Sequence, residues 1–173
     1  MKKALILAAL PFALAAVPAA AQVTADTESY AIALSGSVAS NCELIPEGSG
    51  TYNVDMLNSG NQGALAIVYS CNSPYKVLLS SANGGMLNTT SGGAVNIDYN
   101  VEASFLGFSA TSTNSATMQG TPVAIVNNTD WQNILTNGGA RSGNLDLSFD
   151  SVNEFAVAGD YEDTLTITLA AQL

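Results

Sequence analysis

The side chains with the clearest potential for chemistry are carboxylates in two groups near the C-terminal end. Asp146 and Asp150 form one group, and Asp160, Glu162 and Asp163 form the other. Paired carboxylates can hydrolyse glycosides or bind Ca²⁺. The D-x-[DN]-x-[DN]-G pattern of calcium loops is absent, however, and acidic residues in turns are usually solvated. We expect no catalytic residue and no metal site, with hydrolysis as the least favoured hypothesis.

Composition excludes further classes of chemistry. The 173 residues include no histidine, which removes Ser-His-Asp and Cys-His sites and histidine-bound metals. Four Lys and Arg stand against 14 Asp and Glu, a net charge of −10. Binding of nucleic acid requires clustered cations to neutralise phosphates. We therefore expect no enzyme activity, no cofactor and no nucleic-acid partner.

The N-terminus has the features of an export signal. Met1-Lys2-Lys3 is positively charged, an apolar run follows, and Ala19-Ala20-Ala21 supplies small residues before Gln22. The alternative, a membrane anchor, is disfavoured because the apolar run is shorter than the roughly 20 residues that a spanning helix needs. We expect residues 1–21 to be a signal peptide and residues 22–173 to form one exported domain, not integral to the membrane.

Export determines the interpretation of the two cysteines. Cys42 and Cys71 are the only pair in the sequence, and an even pair in an exported chain is most simply a disulfide. A redox or metal-binding pair is the alternative, but neither C-x-x-C spacing nor accompanying ligands are present. We predict one structural disulfide.

The single tryptophan, Trp131, lies in a polar stretch rich in Asn and Asp. An exposed indole beside such residues could stack on a sugar ring, which makes Trp131 a candidate ligand contact. The favoured alternative is a ring that covers one end of the core, since large aromatics are mostly buried.

The elements that must position these residues are strands, because apolar residues alternate with period two. In the last predicted strand Leu165, Ile167 and Leu169 face one way and threonines face the other. A half-buried strand is predicted from Tyr30 to near Cys42, and one short helical turn over 130–135. The other predicted strands cover 64–71, 75–79, 95–106, 121–126 and 144–149. Several short strands separated by turns predict an all-β fold, a single antiparallel β-sandwich.

Four motifs along the chain resemble a known family. They are I-x-L-x-G-x-V…C at 32–42, C-x-x-P-Y-x-V-x-L at 71–79, Y-N at 99–100, and A-G-D-Y-x-D-T-L-x-I-T-L at 158–169. The order resembles the spore coat protein U domain family, which includes subunits of archaic chaperone–usher pili. The most specific part is the motif Gly159, Asp160, Tyr161, Asp163 and Thr164, in which the two aspartates are expected to fix the turn into the last strand.

The resemblance implies an incomplete immunoglobulin-like sandwich that lacks its own final strand. A periplasmic chaperone would fill the groove, and the N-terminal strand of the next subunit would replace it after delivery to an outer-membrane usher. The expected donor is Gln22 to about Ser29, with Val23, Ala25 and Thr27 on one face; the alternative is a disordered tail. The expected acceptor wall consists of Tyr161, Leu165, Ile167 and Leu169.

The resulting functional hypothesis is an exported subunit of a surface pilus, fimbria or coat. It would pass through the periplasm and polymerise head-to-tail with itself or with other pilus subunits. The alternative hypothesis is a stand-alone secreted or surface-associated binding module, an adhesin or glycan binder that uses Trp131.

Overall fold

A computed structural model describes residues 29–47, 50–136, 140–150 and 157–172. The expected signal peptide and the expected donor residues Val23, Ala25 and Thr27 lie outside these ranges. The chain divides into a unit up to Ser37 and a unit from Val38 onward. Residues 29–37 of the first unit form no helix or strand and are exposed.

The second unit consists mainly of β-strands joined by short loops, with two short helices in the described residues. The strands are β1 Cys42–Pro46, β2 Gly60–Cys71, β3 Tyr75–Ser81, β4 Met86–Asn88, β5 Asn96–Ile97, β6 Asn100–Phe105, β7 Thr111–Asn114, β8 Val123–Asn128, β9 Ala140–Phe149, β10 Tyr161–Glu162 and β11 Leu165–Ala171. The helices are α1 Ser115–Met118, which begins after β7, and α2 Trp131–Thr136, which begins after β8.

The strands pair into three antiparallel sheets. A five-stranded sheet has the order β1-β2-β9-β6-β7, and a three-stranded sheet has the order β11-β3-β8. A third, small sheet has the order β10-β4-β5. The prediction of a mostly β, antiparallel protein is therefore confirmed.

The buried apolar cluster contains residues from both of the larger sheets. Ile67 and Tyr69 of β2 are buried while their neighbours on the other face are more exposed, as period two requires. Val77 and Leu79 of β3 belong to the same buried cluster. The Tyr69 ring lies edge-on to Tyr75, with the ring centroids 5.4 Å apart. Aromatic pairs with this geometry add to the stability that burial supplies.

The disulfide joins the first two strands. Cys42 and Cys71 are register partners in the β1–β2 pair, with their Cα atoms 4.1 Å apart, and their sulfur atoms are bonded. The predicted pairing is confirmed. It attaches edge strand β1 covalently to the interior of the sheet.

One long predicted strand is interrupted in the structure. The stretch 95–106 divides into β5 and β6, with Asp98 and Tyr99 between them. The Tyr99 N–H donates to Ser115 Oγ at 2.9 Å, and its carbonyl accepts from the Ser115 N–H at 2.8 Å. Both backbone groups of Tyr99 thus bond to Ser115 at the start of α1 and not to a neighbouring strand. The strand ends there, and β5 and β6 belong to different sheets.

The prediction of a half-buried strand from Tyr30 is wrong for this chain alone. Tyr30, Ile32, Leu34 and Val38 are 70–92% exposed, and regular structure begins at Cys42. The alternation of apolar residues is present, but no partner among the described residues covers it.

Removal of the disulfide tests its contribution to stability. We expect the double variant Cys42→Ser/Cys71→Ser to lose about 3 kcal/mol of unfolding free energy, because the bridge restricts the unfolded chain. Denaturant unfolding measures the loss, and wild-type protein in excess reductant should match the variant. An unfolding midpoint equal to that of the oxidised wild type would contradict the expectation.

Candidate functional site

Strand β11 lies at the edge of its sheet. It pairs with β3 along its whole length, from Leu165 opposite Ser81 to Ala171 opposite Tyr75. Its other edge has no strand partner among the described residues. The backbone N–H and C=O groups on that side are therefore available to a further strand.

One face of β11 is apolar, and the rest of the protein covers that face only partly. Leu165, Ile167 and Leu169 are partly buried and pack against the core, while Thr166 and Thr168 on the other face are exposed. The expected acceptor residues on β11 therefore share one apolar face. We call this unpaired side of the strand, with its three apolar side chains, the β11 edge.

Strand β1 lies next to β11 and is also an edge strand. It pairs with β2, and it contacts β11 of the other large sheet. Leu44 packs against the core but is only partly buried, and Ile45 is 48% exposed. Leu44 therefore lies on the core face of β1, and Ile45, the next residue, lies on the opposite face.

The Asp163 carboxylate holds the start of β11. Its Oδ2 accepts hydrogen bonds from Ser81 Oγ at 2.6 Å and from the Tyr99 hydroxyl at 2.8 Å. Its Oδ1 accepts from the N–H groups of Asn83 at 2.9 Å and Thr164 at 2.8 Å. One side chain therefore links the end of β3, the residue before β6 and the residue before β11.

The environment of Tyr99 keeps this network intact. Burial raises the pKa of the Tyr99 hydroxyl well above its usual range, and its hydrogen bond to Asp163 acts in the same direction. The phenol therefore remains protonated and donates to the carboxylate throughout the physiological pH range. The arrangement suits a structural link, because every donor around the carboxylate is already paired.

Asp160 acts through its backbone. Its carbonyl accepts from the N–H of Thr89 at 2.8 Å, and its N–H donates to Thr90 Oγ1 at 3.0 Å. Gly159, with φ of +150°, precedes it, and a Cβ there would lie 2.8 Å from Asn88 Oδ1. The motif therefore requires glycine for a close approach of two chain segments, and this approach sets the path into the last strands.

Tyr161 lies apart from the other expected acceptor residues. It belongs to β10, where it is opposite Asn88 of β4, and its hydroxyl donates to the Val157 carbonyl at 2.7 Å. The structure thus brings Leu165, Ile167 and Leu169 together but places Tyr161 in the small sheet.

Asp146 and Asp150 each accept a hydrogen bond from an asparagine distant in the sequence. Asp146 Oδ1 accepts from Asn61 Nδ2 at 3.3 Å, and Asp150 Oδ1 accepts from Asn100 Nδ2 at 2.5 Å. In the part of the chain that the structure describes, no three His, Cys, Asp or Glu side chains are grouped so that they could hold a metal ion. These contacts link neighbouring strands of the large sheet.

Trp131 begins α2 and is 54% exposed, so its interpretation as a ring that covers the core is wrong. Ile134 is the buried residue of this helix. Asp130 caps it by accepting from the Gln132 N–H at 2.8 Å. Leu135, one turn after Trp131, is 71% exposed, so two apolar side chains lie on one accessible face.

A buried cation anchors this helix. Arg141 of β9 is 4% exposed; its guanidinium donates to the carbonyls of Leu106 at 3.0 Å and Asn133 at 3.2 Å. It also lies over the Phe108 ring, 5.3 Å from the centroid. No sequence pattern indicates this role for Arg141, because its partners are neutral groups on α2 and after β6. The effect is to hold α2, and hence Trp131, in a defined place.

Within the second unit, hydrogen bonds to Asn72 hold the residues just before β1. Asn72 Nδ2 donates to the Ala39 carbonyl at 3.0 Å, and Asn72 Oδ1 accepts from the Asn41 N–H at 2.7 Å. The Asn72 N–H also donates to the Asn41 carbonyl at 3.1 Å. The exposed segment that ends at Val38 therefore leads directly into an anchored stretch of chain.

Comparisons with protein-family models, with curated proteins and with solved structures find no match to this chain. Among the described residues, neither helix has the length and apolar composition needed to cross a membrane. The case for function therefore depends on the geometry of the β11 edge and on the sequence motifs.

The role of Asp163 can be separated from that of Asp160. We expect Asp163→Ala to lower the unfolding free energy by about 2–4 kcal/mol, because several donors lose a shared acceptor. Asp160→Ala should change it by less than about 0.5 kcal/mol, since the contacts of Asp160 come from its backbone. Denaturant unfolding of both variants measures the difference, and equal losses would contradict this assignment.

Proposed function

We propose that this protein is an exported structural subunit that polymerises into a surface pilus, fimbria or coat by strand addition at the β11 edge. The observation that carries the proposal is the state of β11. It is a strand paired on one side, and its apolar face of Leu165, Ile167 and Leu169 is only partly covered.

An added strand would satisfy both requirements of this edge. Its backbone would pair with the free N–H and C=O groups of β11, and its alternate side chains would cover Leu165, Ile167 and Leu169. An edge left open with apolar side chains promotes aggregation, so delivery by a periplasmic chaperone to an outer-membrane usher fits the chemistry. On this proposal the two large sheets form an incomplete immunoglobulin-like sandwich whose missing strand lies beside β11.

A strand donated by another subunit would make a fibre. The donating and accepting surfaces differ, so the contact does not close on itself and continues head-to-tail. The resemblance to the spore coat protein U domain family supports the same assembly. The Gly159-to-Thr164 motif of that resemblance forms the hydrogen-bonded entry into β11, through Asp163 and through the backbone of Asp160.

A second candidate function rests on Trp131. The indole is 54% exposed and Leu135 is 71% exposed on a helix that Arg141 anchors. A rigidly held, accessible indole favours stacking on a sugar ring. This would make the protein a surface binding module, either within a fibre or alone.

The polymer hypothesis predicts a heat-sensitive ladder. Material sheared from the surface of cells that make this protein should give multiples of the subunit on a denaturing gel before boiling and a monomer after it. We expect Ile167→Asn to abolish the ladder, because a polar group then lies in the covered face. Thr168→Asn, on the exposed face of the same strand, is the matched control and should keep it.

Circular dichroism and limited proteolysis of both variants check that the ladder is lost through assembly rather than through unfolding. A wild-type sample that gives only monomer, with or without boiling, would contradict the polymer hypothesis.

The binding-module hypothesis predicts that Trp131→Ala lowers glycan binding by about fivefold or more, since stacking on an aromatic ring is worth about 1 kcal/mol or more. A glycan array and a surface-adhesion assay measure this, with Gln132→Ala, an exposed position of the same helix outside the Trp131–Leu135 face, as the control. Unchanged glycan binding and adhesion in Trp131→Ala would refute this second candidate.

A further inference from the structure

The segment before β1 carries apolar side chains that the described chain leaves uncovered. Four of them alternate with small residues, and we call these four the N-terminal stripe. Their exposed fractions are 89% for Tyr30, 70% for Ile32, 92% for Leu34 and 89% for Val38. The residues between them that lie on the opposite face are Ala31, Ala33, Ser35 and Ser37.

This pattern requires a partner. Apolar residues at alternate positions, here interrupted once by Gly36, are typical of a strand that buries one face against a core. In the described residues the stripe belongs to no strand and to no sheet. A contiguous apolar surface of this kind on an exported protein indicates an interaction site, because water exposure of such side chains is unfavourable.

The β11 edge has the complementary properties. Strand β11 spans Leu165–Ala171, seven residues, and the part of the stripe from Ile32 to Val38 has the same length. Neither stretch contains a charged residue, in a sequence with 14 Asp and Glu. Pairing them therefore buries no carboxylate. Burial of a carboxylate without a cation would be costly.

The segment Gln22–Ser29 meets these conditions less well. It contains Asp26 and Glu28, and its alternating face offers only Val23, Ala25 and Thr27. The N-terminal stripe instead offers an aromatic and three branched aliphatic residues, which cover more apolar area per strand.

The stripe also emerges from a fixed place. Asn72 binds Ala39 and Asn41 through three hydrogen bonds, so the chain is held immediately after Val38. A donated strand transmits force along a fibre only if its base is attached to the folded subunit. The Asn72 contacts and the Cys42–Cys71 bond provide this attachment.

We infer that the donated strand is Tyr30–Val38, which inserts beside β11 of a second copy of this chain with the N-terminal stripe facing Leu165, Ile167 and Leu169. Gly36 lies within the stripe, and the space where its Cβ would stand is open. The inference rests on the proposed function and replaces Gln22–Ser29 as the donor. The residues Ala33, Ser35 and Ser37 then lie on the outer face, where small polar or neutral side chains suit contact with water.

Charge substitutions in the full chain test which segment is donated. Leu34→Asp should lower the amount of polymer about a hundredfold or more, because it places an unpaired carboxylate in the covered face. Ser35→Asp adds the same charge to the outer face of the same segment and should stay within about twofold of wild type. Ala25→Asp makes the same change in the earlier segment and should also polymerise normally. Leu34 is 92% exposed and Ser35 is exposed in the subunit, so neither substitution removes a core contact, and circular dichroism of all three variants checks their folding.

Photo-cross-linking identifies the partner directly. A benzophenone amino acid at position 34 should cross-link to β11 when isotope-labelled and unlabelled subunits are mixed and allowed to assemble. Beyond the signal sequence the cations are Lys76 and Arg141, so trypsin releases β11 in the peptide 142–173. We expect this peptide to be joined to the peptide 22–76. Cross-linked pairs in which one peptide is labelled and the other is unlabelled prove that the contact is between copies.

The outcomes distinguish the two proposals. The inference would be overturned if Ala25→Asp abolished the polymer and Leu34→Asp preserved it, or if neither substitution affected the polymer. Either result would leave the proposed function standing. Cross-links only between segments of the same copy would also overturn it. A wild-type protein that forms no polymer under any condition would remove the proposed function itself.

Discussion

A backbone at a sheet edge must find partners for its N–H and C=O groups, and at β11 this requirement is met on one side only. The strand pairs with β3 along its length, yet its other side has no partner among the described residues. Its apolar face is also only partly covered. Water can satisfy the backbone groups but not the apolar side chains, so the edge is competent to bind a strand.

An edge of this kind needs support from the rest of the fold, and two contacts provide it. Asp163 fixes the start of β11 through hydrogen bonds with Ser81, Tyr99, Asn83 and the adjacent Thr164. The disulfide fixes β1, the strand that contacts β11 from the other large sheet. Both strands are thus held in place in the subunit, and on the proposed function this would lower the entropy lost when a strand is added.

The distribution of charge is consistent with the same role. The net charge of −10 disfavours nonspecific association between copies, while β11 and the N-terminal stripe are both uncharged. Arg141, one of the few cations, is buried against carbonyl groups and the Phe108 ring, where it orders loops rather than binding an anion. On the proposed function, association would be favoured where these two neutral, apolar segments meet and disfavoured elsewhere on the surface.

The sequence by itself determined the period-two strands, the disulfide and the alternating face of β11, because these depend on local spacing and on the number of cysteines. It could not show that Tyr99 separates β5 from β6, that Asn88 and Arg141 are buried, or that Trp131 is exposed, since each depends on residues distant in the chain. The N-terminal stripe shows the difference most clearly. Alternation of apolar residues predicts that one face of a strand is covered, but the sequence pattern is the same whether this chain or another covers it. Only the tertiary structure shows that the stripe is exposed.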